Sequence, residues 1–283
     1  MRQVVLLSLA DGCLGAPVLA CRDALVAEGA DVTTATPASD RELDELIAAV
    51  DGPPRPDGLT WPAAEGPTIV VAATAIGQVR AVVRRLVRRY APPPSRRPSD
   101  LAAHRTVPDL PPVGVLPLYG ENVFDLPADP GEVAKAVLHG TPARLDLLRT
   151  DAGSVTLDGA LIGGTAPWSA RIECDDAVLA EPGETIAACA VGNGAGYATV
   201  DGLPLVPRAD PADGALDVAV AVPVRTRRWG RTRVTVEVRR ARGRAVSVNP
   251  AAEVPFRDDG VSGTLTGKRS WWVERGAWAV LRP

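Results

Sequence analysis

Thr68-Ile69-Val70-Val71-Ala72-Ala73, followed shortly by Val79-Arg80-Ala81-Val82-Val83-Arg84-Arg85-Leu86-Val87-Arg88-Arg89-Tyr90, is the stretch on which the fold turns. Its first part is an uncharged, largely β-branched run, as expected of a strand buried on both faces in a parallel sheet. Its second part sets Val79, Val82, Val83, Leu86 and Val87 on one side and Arg80, Arg84, Arg85, Arg88 and Arg89 on the other, the pattern of an amphipathic helix. A strand leading directly into such a helix is one unit of an α/β layer.

The same alternation continues outward in both directions. Upstream, Asp51 to Pro67 is a Gly- and Pro-rich loop, and Ser39-Asp40-Arg41-Glu42 reads as a capped helix start leading to Leu43, Leu46, Ile47 and Val50. Before it, Ala30 to Thr36 reads as a strand and Pro17 to Glu28 as a helix with Gly29 at its C-terminal cap. Val4 to Leu9 is a first buried strand. It is too short for a signal-peptide core and runs into Asp11-Gly12, not into a small-residue cleavage site. Downstream, Ala91 to Pro112 holds seven prolines and reads as a linker with extended segments. Val113 to Leu118 is a fourth strand, and a helix is expected around Gly131 to Leu138.

From Leu145 the character changes to short alternating runs punctuated by Gly and Pro. They include Ser154–Leu161, Ile186–Val191, Leu216–Val222, Thr232–Val238 and Trp278–Leu281, and this half is expected to be antiparallel β. The 283 residues suit two domains. The expectation is a Rossmann-like α/β domain with a mainly parallel sheet over residues 1–125, an antiparallel β-sandwich over 126–283, and a cleft between them. A content of 46% hydrophobic and 23% charged residues with net charge −3 excludes a disordered chain and bulk polyanion binding. No apolar run reaches the roughly 18 residues of a membrane-spanning helix. Cys13, Cys21, Cys174 and Cys189 form no CxxC pair and have no close His, which argues against a zinc site or disulfide framework and for a reduced, cytoplasmic setting.

Particular phrases carry a resemblance. Ala209-Asp210-Pro211-Ala212-Asp213-Gly214-Ala215-Leu216-Asp217-Val218, Val113-Gly114-Val115-Leu116-Pro117-Leu118 with Asn122 and Phe124, Leu145-Asp146-Leu147, and Val70 to Val79 follow one another as in a known pattern. Together they resemble the bacterial diacylglycerol kinase and related lipid kinase family, which has an NAD kinase-like fold, over nearly the whole chain. The resemblance implies an ATP site with magnesium. It places Gly12, Thr74, Gly77, Gln78 and Asn122 at the nucleotide, and Asp213 and Asp217 at a structural metal ion.

The departures from the family pattern are concentrated in the cleft. The family's Gly-Gly-Asp-Gly-Thr becomes Thr74-Ala75-Ile76-Gly77-Gln78, with isoleucine in place of the acid. The later Gly-Thr-Gly-Asn-Asp becomes Tyr119-Gly120-Glu121-Asn122-Val123, and the N-terminal Asn-Pro becomes Ser8-Leu9. Asp259-Gly260-Val261 stands where the family has Asp-Gly-Glu, whose glutamate is the general base; Val261 takes no proton. Such a base contributes ~10²–10⁴-fold in rate, so the expected function is a lipid-kinase fold with weak or no phosphotransfer that binds lipid or nucleotide. Two alternatives stand beside it. One is an active kinase of a diacylglycerol-type hydroxyl that uses Glu121, Asp258 or Asp259; the other is a regulatory or structural partner protein.

Nine arginines crowd Arg225 to Arg244 in a chain that is acidic overall. They suit an anionic lipid surface and hence a peripheral membrane location; the plainer alternative is a solvated sheet edge that resists aggregation. Only Trp229 interleaves with them, so no nucleic-acid partner is expected. The oligomeric state is left open, a homodimer included. His104 and His139 are isolated, Ser8, Ser169 and Ser262 have no nearby triad partners, and Trp271, Trp272 and Trp278 read as packing anchors. Gly192-Asn193-Gly194-Ala195-Gly196 reads as a turn.

Overall fold

The computed structural model describes all residues except 10–14, 119–123, 195–196, 201, 208 and 229–230, and of 226–228 and 231–233 only the backbone. Two compact units emerge, Met1–Leu145 with Gly276–Pro283, and Asp146–Arg275.

In the first unit the order is β1 (Gln3–Ser8), α1 (Ala16–Ala27), β2 (Asp31–Ala35), α2 (Asp40–Ile47), β3 (Thr68–Ala73), α3 (Ile76–Tyr90), β4 (Val113–Pro117) and α4 (Pro130–His139). The strands lie in the order β2-β1-β3-β4, all parallel, with Val4 opposite both Val32 and Thr68. All six residues of β3 are buried, as a two-faced strand requires. Val18, Cys21 and Leu25 of α1 and Val133, Ala134 and Val137 of α4 form one core with Val4, Leu6, Val70, Ala72 and Leu116.

The helix ends follow their sequence signals. Ser39 Oγ accepts from the Glu42 N–H, and Glu42 reaches back to the Ala38 N–H, a reciprocal cap. Past α1, Gly29 (φ 85°) and Ala30 donate to Val26 and Leu25 carbonyls, a Schellman ending that needs the left-handed conformation glycine adopts freely.

Three expectations are revised. Arg85, expected on the wet side of α3, is 6% exposed and ion-pairs with Asp40 and Asp44 of α2. The Pro-rich stretch after α3 is no free linker: Leu101, Val107 and Leu110 are buried, and the Leu110 N–H donates to the Ala277 carbonyl. Trp278–Leu281 is not part of the antiparallel half, since Val280 pairs parallel with Val113 of β4.

The second unit is antiparallel. Along the chain run β5 (Thr141–Thr150), β6 (Val155–Thr156), β7 (Gly159–Trp168), β8 (Ala170–Cys174), β9 (Ala177–Ala180), β10 (Ile186–Gly192), β11 (Tyr197–Val200) and β12 (Leu203–Val206). Then come β13 (Leu216–Arg228), β14 (Arg231–Gly243), β15 (Ala245–Pro250), β16 (Val254–Asp258), β17 (Val261–Leu265) and β18 (Arg269–Arg282). One sheet has the order β14-β13-β10-β7-β16-β17; facing it are β9, β8, β15 and the first half of β18. Inward residues of both layers, among them Ile162, Cys189, Val218, Ile172, Val248 and Trp271, share one core, the β-sandwich expected from alternation.

Candidate functional site

In an open parallel sheet, ligands bind beyond the carboxyl ends of the strands where the strand order reverses. With the order β2-β1-β3-β4 that point lies between β1 and β3. β1 leaves through buried Ser8 and half-buried Leu9, and β3 leaves through exposed Thr74. Gln78, in the first turn of α3, joins the two exits. Its Nε2 donates to the Leu9 carbonyl at 3.1 Å, and its Oε1 accepts from the Thr74 N–H at 2.6 Å and from the Thr74 hydroxyl at 3.3 Å.

The helices that start beside these exits differ from the others. α2 and α4 are capped by the side chains of Ser39 and Asp129, the latter accepting from the Gly131 and Glu132 N–H groups. α1 begins after Gly15 and α3 after Ala75, and neither has a side-chain cap. The helix dipole favours negative charge at both starts; at α3 the Ile76 and Gly77 amides lack intrahelical acceptors, whereas in α1 Pro17 has no N–H and the Val18 N–H already reaches the Gly15 carbonyl, so the head of α3 is the better place for a phosphate group. Among the nucleotide-site expectations, Thr74, Gly77 and Gln78 thus come together at the head of α3; Gly12, Glu121 and Asn122 lie outside the described residues. Ile76, which the sequence resemblance sets opposite the family's acid, is the first residue of α3.

A second group of sequence-singled residues gathers on the β16–β17 hairpin. Asp259 (φ 48°) and Gly260 (φ 80°) form its two-residue turn, between paired Asp258 and Val261. Val261 is 49% exposed. Asp258 and Asp259 are buried and committed: the Thr156 hydroxyl donates to Asp258 at 2.7 Å, and the N–H groups of Leu157, Asp158 and Gly159 converge on the Asp259 carboxylate at 2.8, 2.8 and 3.1 Å. The Trp271 indole completes the chain by donating to Thr156 Oγ. Next to this group, the Tyr197 ring lies so close to Gly159 that a Cβ there would stand 2.7 Å from it. Burial, reinforced by Asp259, Asp158 and Asp258, pushes the Tyr197 hydroxyl well above the usual tyrosine range, so it stays a neutral donor. Asn193 is also buried and donates to the Asp146 and Leu157 carbonyls, while its N–H and that of Gly194 reach the Asp158 carbonyl; Ala195 and Gly196 of the segment read as a turn lie outside the described residues.

The metal ion implied for Asp213 and Asp217 finds a poor donor set. Arg242 holds Asp213, and the Ala215 N–H also donates to Asp213. Burial raises the Asp217 carboxyl above the usual range, against the pull of Arg242. Hard divalent ions take six or more oxygens, and among the described residues no group of three or more His, Cys, Asp or Glu is placed to hold one.

The Arg-rich stretch divides in two. Arg239 pairs with Glu184 and Glu237, and Arg240 donates to the Pro204 and Leu205 carbonyls. Arg225, Arg227, Arg228, Arg231 and Arg233 instead lie where β13 has passed its pairing with β10, which spans 217–221, and where, among the described residues, β13 and β14 pair with each other alone. Among the described residues no helix is long and apolar enough to cross a membrane.

No family model matches the chain, and no curated protein matches it. Solved structures do. A diacylglycerol kinase from Bacillus anthracis str. Sterne aligns over 100% of this chain and 97% of its own, with TM-score 0.66 and 14% identity. Two chains of the same organism, provisionally named diacylglycerol kinases, align equally fully at TM-scores of 0.66 and 0.67 and identities of 15% and 13%. The chain therefore has the fold of bacterial diacylglycerol kinases, as its sequence phrases led us to expect.

Proposed function

We propose that the protein is a nucleotide-binding relative of the lipid kinases with little or no phosphotransfer. The observation that carries this reading is the uncapped head of α3 beside the strand-order reversal, where the Ile76 and Gly77 N–H groups face an anionic phosphate, with the dipole of uncapped α1 adding to the field. Thr74 and Gln78 brace that edge through the bonds given above. When bound, ATP supplies the phosphoryl group and carries its own magnesium; no step is assigned to a protein-held ion, because Asp213 and Asp217 do not fit one. The weak-transfer part rests on the acids. Val261 has no proton-accepting group, and Asp258 and Asp259, the substitutes that lie within the described residues, are buried and already accept hydrogen bonds.

Calorimetric titration of the intact protein with Mg-ATP tests the reading. We expect one-to-one binding, weakened tenfold or more by Gly77→Glu, which sets a negative charge at the head of α3, while circular dichroism stays unchanged. A flat titration with the wild-type protein overturns it.

The two-stranded extension of β13 and β14 supports a lipid-directed location. Val222 to Val236 contains five arginines and no acid on two strands that pair with each other, a concentration of positive charge that favours an anionic partner. We assign it to an anionic bilayer surface. Replacing the five arginines with glutamine should abolish cosedimentation with phosphatidylglycerol vesicles; equal binding of wild type and variant removes the assignment.

A further inference from the structure

The turn that carries the family-like Asp-Pro-Ala-Asp-Gly phrase already contains positive charge from the chain itself. Asp210 accepts from the Ala212 N–H at 3.0 Å, Asp213 accepts from Ala215, and buried Asp146 receives the Gly214 N–H at 2.5 Å. Arg242 of β14 is paired across the ladder with Asp217 of β13, and its guanidinium reaches back to Asp213. The Arg275 side chain lies over Gly214, its Cδ 3.0 Å from where a Cβ would stand. Asp213 is only 22% exposed, so its charge is partly withdrawn from water and needs a partner.

We propose that Arg242 is an internal cation that takes the place of a divalent metal ion at the Asp213–Asp217 turn, so that this chain orders the turn without metal. The chemistry follows from the placement. A guanidinium offers several donors in a fixed plane, neutralises one carboxylate, and, being covalently tethered, is not lost by chelation. An incoming divalent ion would have to displace Arg242 and would meet the charge of Arg275 as well. The inference is independent of nucleotide binding and stands or falls without it.

Thermal unfolding of the full chain tests it, without nucleotide, in EDTA and in millimolar magnesium chloride at matched ionic strength. The wild-type midpoint should be the same in both. Arg242→Ala should lower it by a few degrees, Arg242→Lys should retain most of it, and magnesium should recover part of the alanine variant's loss. The proposal is overturned by a wild-type midpoint that falls in EDTA or rises in magnesium through an effect that Asp213→Asn abolishes. It is overturned equally by an unchanged Arg242→Ala midpoint, or by alanine and lysine variants that lose the same amount, since packing and not charge would then be the cause. If Arg242→Ala does not fold, the wild-type and Asp213→Asn measurements decide.

Discussion

Asp259 shows what one side chain does when its place in the chain conceals its partners. As a string of letters Asp258-Asp259-Gly260-Val261 offers two acids, and the Asp-Gly pair between alternating residues signals a hairpin turn. The turn is there, but the acids are not spare. Asp259 anchors three consecutive N–H groups about a hundred residues away in sequence, a convergence that no local pattern announces. Asp259→Ala leaves those donors facing a site that water does not reach, so we expect a loss of about 3 kcal/mol or more by urea unfolding. Val261→Glu, on the exposed side of the same hairpin, should stay within ~0.5 kcal/mol of wild type in the same measurement. The absence of a base at 261 was legible because it needs only the residue's identity. The commitment of 258 and 259 was not, because it needs the fold.

At the scale of elements, strands and helices follow hydrophobic period and caps closely. β3 spans the six residues read for it, and α2 begins at the Ser39 cap. What sequence left out is how closely elements approach. Gly114 of β4 lies under α4 with no room for a side chain, since a Cβ would stand 2.7 Å from Val137 Cγ2 and 3.0 Å from Val70 Cγ2. Gly114→Ala should therefore destabilise by roughly 1–3 kcal/mol, measured by chemical denaturation. Asp129→Ala, which strips the cap from α4, should cost about 1 kcal/mol in the same experiment. Arg85 departs from its pattern for a related reason: helical period puts it on the polar face, but there it meets the acids of α2. The difference between capped and uncapped helices was partly legible, since Ser39 is a cap residue by type and Ala75 is not. That α1 and α3 both start beside the β1 and β3 exits required the strand order.

Across the whole molecule, Cys21, Cys174 and Cys189 are buried free thiols. Burial pushes them from an ordinary 9.0 up to about 11, about 11 and about 12. The folded state thus favours the protonated thiol. That stabilisation is fully present below pH 9 and is lost as the pH rises towards 11 and 12. We expect the unfolding midpoint to fall through this range, and Cys189→Ala, compared with wild type at each pH, to flatten the decline. The return of β18 to the first unit has a consequence of another kind. Val280 completes the edge beside β4, Ala277 receives the Leu110 N–H, Trp278 meets Phe124 edge to face at 5.3 Å, and Arg282 donates to the Phe124 carbonyl. On the ribosome, the unit that is synthesised first must wait, with its β4 edge uncovered, until residues 276–283 emerge from the exit tunnel, so a nascent chain halted before them holds a half open to chaperones.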